Sequence, residues 1–190
     1  MPHLVLHSRW TGRRTTLAVW PLVLCILSLT GCMHRIEVHP TPGQTASTTI
    51  PRSAQILVGD FAIQGADHMP GITLLEWTPR DFSRGVIDYF RQRGTFASVA
   101  ADSADLTLTI AAKLSMDVRS GHYAYRVRLH ADIASGATPV KSYVTDRSAD
   151  GSRVRWVTNS DRDPIEAALQ LALDDLAVAI ETDRALYAGK

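Results

Sequence analysis

Cysteine is scarce in this chain: only Cys25 and Cys32 occur among its 190 residues. Small disulfide-stabilised scaffolds need several cysteines that can pair. Cys25 lies inside an apolar stretch near the N-terminus, and removal of that stretch would leave Cys32 as the only cysteine. We therefore expect no intramolecular disulfide, and the remaining chain is long enough to bury a core without one.

The chain also lacks a long hydrophobic run. Residues 17–29 form its one sustained apolar stretch, of about 13 residues, whereas a transmembrane helix needs about 20. Arg9, Arg13 and Arg14 precede it, an order that is typical of a secretion signal. Thr15 follows the twin arginine where twin-arginine signals carry a bulky apolar residue, so we expect general secretion.

The end of the apolar stretch, Leu29-Thr30-Gly31-Cys32, resembles the lipobox of bacterial lipoproteins. The resemblance implies cleavage between Gly31 and Cys32, attachment of a diacylglyceryl group to the Cys32 thiol, and acylation of its freed amine with a fatty acid such as palmitate. Residues 1–31 would then be the signal peptide. In the alternative, an ordinary secreted protein, Cys32 is merely a cysteine near the cleavage site.

The lipobox also bears on localisation. Enteric bacteria retain lipoproteins in the inner membrane chiefly when aspartate follows the cysteine, and residue 33 here is Met. We therefore expect a Gram-negative outer-membrane lipoprotein that faces the periplasm and contacts the membrane through the Cys32 lipid.

No charge of one sign dominates the chain. Its 20 basic and 19 acidic residues include only Arg9, Arg13 and Arg14 before Cys32, which leaves 17 basic residues, 19 acidic ones and a formal charge of −2. Nucleic-acid-binding domains usually carry a basic excess. Nucleic acid is therefore not an expected partner.

Periodic sequence begins only after residue 52. Residues 33–52 are rich in proline and threonine without apolar periodicity, so we predict a lipidated N-terminus and flexible tether over 32–52. About 20 flexible residues would give an average reach of about 25 Å. Residues 53–190 are predicted to form a single periplasmic domain.

Two helices are predicted from their start signals. Thr78 before Pro79, with Asp81 three residues after the threonine, predicts a capped helix that ends at Gly94. Asp163-Pro164 predicts the start of the second helix in the same way.

Strands are predicted from alternation. Residues 55–61 suit a buried strand, and apolar residues alternate over 106–118 and 123–133 around a turn at Ser120-Gly121. This turn pairs Leu114 with Val127. Further strands are predicted at 139–147 and 153–158, joined at Asp150-Gly151, without a defined register. Loop residues Ile72, Leu74, Leu75 and Trp77 are expected to fold back onto the core.

Two amphipathic helices and a sheet with one apolar face can bury each other only as two layers. We therefore predict an α+β fold, an antiparallel meander sheet with two helices packed on one face. With Gly94 ending the first helix and Ala104-Asp105 opening the long strand, residues 55–182 resemble small α+β outer-membrane lipoproteins, including the activator of penicillin-binding proteins. The resemblance implies a binding or assembly role and assigns no functional residue.

The best candidate site is the polar face of the predicted hairpin. Lys113, Arg126, Arg128 and His130 share this face, and Lys113 lies opposite Arg128, a like-charge pair that an acidic partner would relieve. The alternative is an ordinary solvated sheet face. Charge reversal at Arg126 and Arg128 is expected to weaken partner association in a salt-sensitive way and to leave folding intact.

Signals for catalysis are missing from the sequence. It has no nucleophile elbow, Ser-x-x-Lys or His-Glu-x-x-His pattern. His34, His39 and His68 lie in the predicted tether and loop, so they are interpreted as solvated, and sheet aspartates as solvent-facing charges: Asp117, Asp132 and Asp146. We therefore predict a non-enzymatic module with an envelope protein partner and no metal or cofactor. The alternative is a periplasmic enzyme or small-ligand carrier, which would show a deep polar pocket.

Overall fold

The computed structural model describes residues 34–64, 75–119, 121–151 and 161–187. The predicted signal peptide, Cys32, His68, Ile72, Leu74, Ser120 and the strand predicted at 153–158 lie outside these residues. Within them the elements are β1 (His34–Arg35), β2 (Ile50–Gln64), β3 (Leu75–Glu76), α1 (Pro79–Arg93), β4 (Phe96–Ala100), β5 (Leu106–Arg119), β6 (His122–Ser135), β7 (Thr138–Asp150), α2 (Arg162–Thr182) and a 3-10 helix (Arg184–Leu186).

The main sheet has the strand order β4-β2-β5-β6-β7. β2 runs parallel to both of its neighbours, β4 and β5, whereas β6 runs antiparallel to both of its neighbours, β5 and β7. The prediction of a wholly antiparallel sheet is therefore wrong, and the sheet is mixed. Parallel neighbours need a crossover connection, here supplied by α1 between β2 and β4. Apolar alternation shows which face a strand buries but not the direction of its neighbour.

The β5–β6 hairpin has the predicted register. Leu114 lies opposite Val127, and Val118 lies opposite Tyr123. Gly121 in the turn has φ 78°, a conformation that glycine adopts without strain. Because side chains alternate between faces, this register sends the large apolar residues of the pair to the same side.

Helix α1 begins and ends as predicted. The Thr78 hydroxyl accepts a hydrogen bond from the Asp81 backbone N–H at 3.1 Å, and Gly94 ends the helix with φ 75°. The prediction for α2 is wrong by two residues, since Asp161 and not Asp163 precedes its first turn. The buried Asp161 carboxylate accepts a hydrogen bond from the Tyr125 hydroxyl, so a sheet contact that local sequence does not show holds this helix start.

Both helices pack on the same face of the sheet, as predicted. Phe82 of α1 stacks beside Phe61 of β2 with ring centroids 5.3 Å apart, and Trp77 is buried against both rings. Near the opposite edge of the sheet, on the same face, the Thr145 hydroxyl of β7 donates to the Ala172 carbonyl of α2 at 3.0 Å. Neither helix is long and apolar enough to cross a membrane within the described part of the chain.

Residues 36–49, which we term the strap, lie along α1 and α2 and do not form the predicted tether. Ile36 and Val38 are 2% and 1% exposed. A Cβ on Gly85 of α1 would lie 3.0 Å from the Val38 carbonyl oxygen, so a glycine here lets the strap cross the helix closely. The folded domain therefore includes residues 36–49 and does not begin at 53.

Polar contacts hold the strap along its whole length. The His39 N–H donates to the Glu166 carboxylate of α2 at 2.9 Å, and the Ala46 N–H donates to the Arg93 carbonyl of α1 at 2.7 Å. These bonds satisfy backbone groups that an unstructured tether would leave to water. Just before the strap, Arg35 contacts Asp81 at 2.9 Å, and hydrogen bonds from Arg35 and Thr78 lower the pKa of Asp81.

Candidate functional site

The structure brings the predicted face residues together on the sheet surface opposite the helices. Lys113 lies opposite Arg128, and Arg126 and His130 follow at alternate positions of β6. All four side chains are exposed or half-exposed. We term this surface the open face. Its placement follows from the hairpin register, because Val127 and Leu129 are buried toward the helices.

β7 adds an acidic residue to the open face that changes its charge. Asp146 lies opposite Arg128 and accepts two hydrogen bonds from its guanidinium, at 3.0 and 2.8 Å. Arg126 lies 3.6 Å from the same carboxylate. Two of the four predicted basic residues, Arg126 and Arg128, therefore lie next to a carboxylate, and the face is less basic than β5 and β6 alone indicate. The sequence indicates that Asp146 lies near a strand but does not define the β7 register, so the pairing of Asp146 could not be predicted.

The remaining polar groups of the open face are also mixed in sign. His130 lies 3.7 Å from Asp132, and the Ser142 hydroxyl donates to the same carboxylate. Lys113 is exposed and has no ion-pair partner among the residues that the structure describes. Lys113 is therefore the cation of the predicted set that is most available to a partner.

Two exposed apolar side chains on the open face were not predicted as site residues. Leu57 lies opposite Thr109 and is 43% exposed, and Val144 lies opposite His130 and is 65% exposed. Single exposed apolar residues are common on protein surfaces. Assigning them to this face requires the pairing of β2 and β7, which the sequence leaves undefined.

A buried charged cluster joins the two helices to the strap. Arg93, whose side chain is 1% exposed, donates to both carboxylate oxygens of Glu181 at 2.8 and 3.2 Å. It also lies 3.2 Å from Asp174 and from the Gln44 carbonyl oxygen, and the Thr95 hydroxyl donates to Glu181. The hydrogen bonds to Glu181 raise the pKa of Arg93. Every group here has a partner, as a structural cluster requires.

A surface crevice of about 240 Å³ lies between the strap and the last turns of α2. Polar residues line most of it, and one of them, Glu181, already accepts hydrogen bonds from Arg93 and Thr95. Small-molecule sites usually have volumes of about 300–1,000 Å³ and polar groups free to converge on a ligand. The volume of this crevice is below that range, and its one carboxylate is already paired with Arg93. Among the described residues, no three His, Cys, Asp or Glu side chains cluster as metal ligands would.

The structure thus defines a two-layer α+β domain with a mixed sheet and one open, charged face. No protein-family model matches the chain, and no curated protein matches it significantly.

Several solved structures are similar. A protein of family DUF330 from Xanthomonas campestris is 17% identical with a TM-score of 0.49, and the match covers 78% of this chain and 91% of that chain. A proposed lipoprotein from Caulobacter crescentus has 15% identity, a TM-score of 0.41 and coverage of 65% and 90%. A minor lipoprotein from Acinetobacter baumannii has 12% identity, a TM-score of 0.34 and coverage of 65% and 90%. The similar structures thus include lipoproteins of Gram-negative bacteria, but these low scores transfer no activity or residue role.

Proposed function

We propose that this protein is a lipid-anchored envelope lipoprotein of a Gram-negative bacterium that acts as a non-enzymatic binding or assembly module. The observation that carries the proposal is the order of arginines, short apolar stretch and Leu29-Thr30-Gly31-Cys32. β1 begins two residues after Cys32, so little chain separates the described part of the domain from the proposed anchor. The proposed partner is an envelope protein that contacts the open face.

Replacing Cys32 with serine is expected to abolish acylation and membrane association, because the thiol is the only group nearby that suits thioether formation. The measurement is intact mass after detergent extraction, together with partition between detergent and aqueous phases. Cys25→Ser is the matched control and should leave both unchanged, since Cys25 is expected to leave with the signal. Wild-type protein without an acyl chain would contradict the proposal.

The outer membrane is the proposed location, because Met33 and not aspartate follows the lipidated cysteine. Density-gradient fractions should hold the protein together with outer-membrane markers. Met33→Asp is expected to move it toward the inner-membrane fractions. Co-migration of the wild-type protein with inner-membrane markers would refute this assignment.

Substitution of Lys113 is the clearest test of whether the open face binds a partner. Arg126 and Arg128 are adjacent to Asp146, so reversing their charge would create repulsion inside the sheet as well as at a partner surface. Lys113→Glu avoids this complication, because Lys113 faces Arg128 and has no acidic partner among the described residues. The free energy of unfolding should change by less than about 0.5 kcal/mol.

We expect Lys113→Glu to reduce the recovery of an envelope partner in affinity purification from detergent-solubilised membranes. The reduction should shrink at high salt, because screening weakens attraction between exposed charges. Arg84→Glu is the matched control, since Arg84 is equally exposed but belongs to α1 in the helix layer. Equal recovery of wild type and Lys113→Glu at every salt concentration would show that the open face is only a solvated surface.

A further inference from the structure

We propose that the end of the domain at which α1 and α2 begin rests against the membrane surface, so that the anchor sets the orientation of the domain. The proposal rests on lipid attachment to Cys32. A flexible 20-residue tether would let the domain move about 25 Å from the membrane on average. In this proposal the domain is instead held directly at the lipid headgroups.

The first step is the covalent distance between anchor and domain. Only Met33 separates Cys32 from His34, the first residue of β1. A fully extended chain advances at most about 3.6 Å per residue, so the two steps from Cys32 to His34 span no more than about 7 Å. Lipid chains on Cys32 would therefore hold β1 within one headgroup layer of the bilayer.

The second step is the attachment of β1 to the rest of the domain. His34 and Arg35 pair with Leu75 and Glu76 of β3. Arg35 also donates two hydrogen bonds to the buried Asp81 carboxylate, and Ile36 is 2% exposed. Residues 34–36 are thus held by strand pairing, by an ion pair and by burial. They cannot act as a hinge without losing these contacts.

Both helices begin near β1. Asp81 in the first turn of α1 binds Arg35, and Glu166 near the start of α2 binds the His39 N–H. The far ends of the helices meet at the Arg93–Glu181 pair. The two helices therefore run in the same direction, and both begin at the β1 end.

The opposite end of the domain lies well away from this surface. The Ile50 N–H at the start of β2 donates to the Thr95 carbonyl just after α1, and Arg52 donates to Ser135 beside the β6–β7 turn. α2 has 21 residues, a length of about 31 Å at about 1.5 Å per residue. The β6–β7 turn and the C-terminal end of α2 would then point into the periplasm, about 30 Å from the headgroups.

Among the described residues of 34–38 and of the first two turns of the two helices, basic and acidic side chains are equal in number. Charged residues of 34–38 and of the first two turns of α1 and α2 comprise four basic and four acidic side chains: Arg35, Arg80, Arg84, Arg162, Glu37, Asp81, Asp163 and Glu166. Attraction to anionic lipid needs a basic excess. The orientation should therefore depend on the lipid anchor and be the same on neutral and anionic membranes.

The test compares two single-thiol variants of the full acylated protein, Ser148→Cys and Thr138→Cys. Both positions are exposed on β7. Ser148 lies opposite Arg126 at the anchor end of the sheet, and Thr138 lies opposite Ser135 at the far end. Ten strand residues separate them by about 33 Å. The introduced thiol is the only free one once Cys25 has left with the signal and Cys32 is alkylated.

Each variant is labelled with a fluorescent donor and added to vesicles of phosphatidylcholine, with or without phosphatidylglycerol, that carry an acceptor headgroup. We expect severalfold stronger energy transfer from position 148 than from position 138 on both vesicle types. Inserting about 20 flexible Gly/Ser residues between Met33 and His34 should remove most of this difference, since such a linker has an average reach of about 25 Å.

Equal transfer from the two labels, or stronger transfer from position 138, would overturn the orientation if mass spectrometry shows that both variants are acylated. An unaltered difference after linker insertion would overturn it as well. A mature protein without an acyl chain would instead refute the lipid anchor itself, which distinguishes that failure from failure of the orientation.

Discussion

Replacing Arg93 with methionine is expected to lower the free energy of unfolding by about 3–5 kcal/mol, the range for breaking a buried ion pair by removing one partner. The variant leaves the Glu181 carboxylate, 8% exposed, without its bidentate donor. Thr95 still donates one hydrogen bond to Glu181, but it brings no compensating charge. Urea denaturation followed by circular dichroism measures the difference.

Arg91→Met is the matched control in the same helix turn. Arg91 and its partner Asp88 have side chains 52% and 44% exposed, with the closest charged atoms 3.5 Å apart. Exposed pairs contribute about 0–1 kcal/mol, so the control should remain close to wild type. The double variant Arg93→Met/Glu181→Met should recover part of the loss, because it removes the stranded carboxylate. Equal stability of Arg93→Met and Arg91→Met would show that the buried cluster is not formed.

Replacing Ile36 with alanine is expected to lower the free energy of unfolding by about 2–5 kcal/mol, as for other fully buried isoleucines. Ile36 belongs to the core of the domain although it is only four residues after Cys32 along the sequence. A residue in a free tether would give no measurable change. Glu37→Ala is the matched control, because Glu37 is the exposed neighbour of Ile36 in the same segment.

Comparison of Ile36→Ala with Glu37→Ala shows whether residues 36–49 form the packed strap or a free tether. Loss of stability in Ile36→Ala alone would support the strap and with it the fixed position of β1. If neither substitution alters the unfolding curve, residues 36–49 do not pack on the helices. β1 would then not be held in the fixed position that the proposed membrane orientation requires.

The hairpin and the first helix could be predicted because their determinants are local. Alternation along β5 and β6 and a short turn leave one register that pairs Leu114 with Val127. A capping threonine and a left-handed glycine likewise act within a few residues of the helix ends, as they do at Thr78 and Gly94. Placement of the four predicted face residues on one surface followed from the same alternation.

The charge of that face could be predicted only in part. Lys113, Arg126 and Arg128 lie where alternation places them, but Asp146 comes from a strand whose faces are mixed in sequence. A pattern without one clear apolar side does not define a register. The ion pair between Arg128 and Asp146 therefore depends on the alignment of β7 with β6, which the tertiary structure alone defines.

Local sequence thus determined the hairpin register, the ends of α1 and the face that each strand of the hairpin buries. Tertiary structure alone decided the parallel pairing of β2, the start of α2 at Asp161 and the burial of the strap. Each of the latter depends on partners distant in sequence, such as Tyr125 for Asp161 and Gly85 for Val38. Only two apolar residues, Ile36 and Val38, mark the start of the strap. They are buried because they join the core of the domain beside Gly85 of α1, a contact that no local pattern encodes.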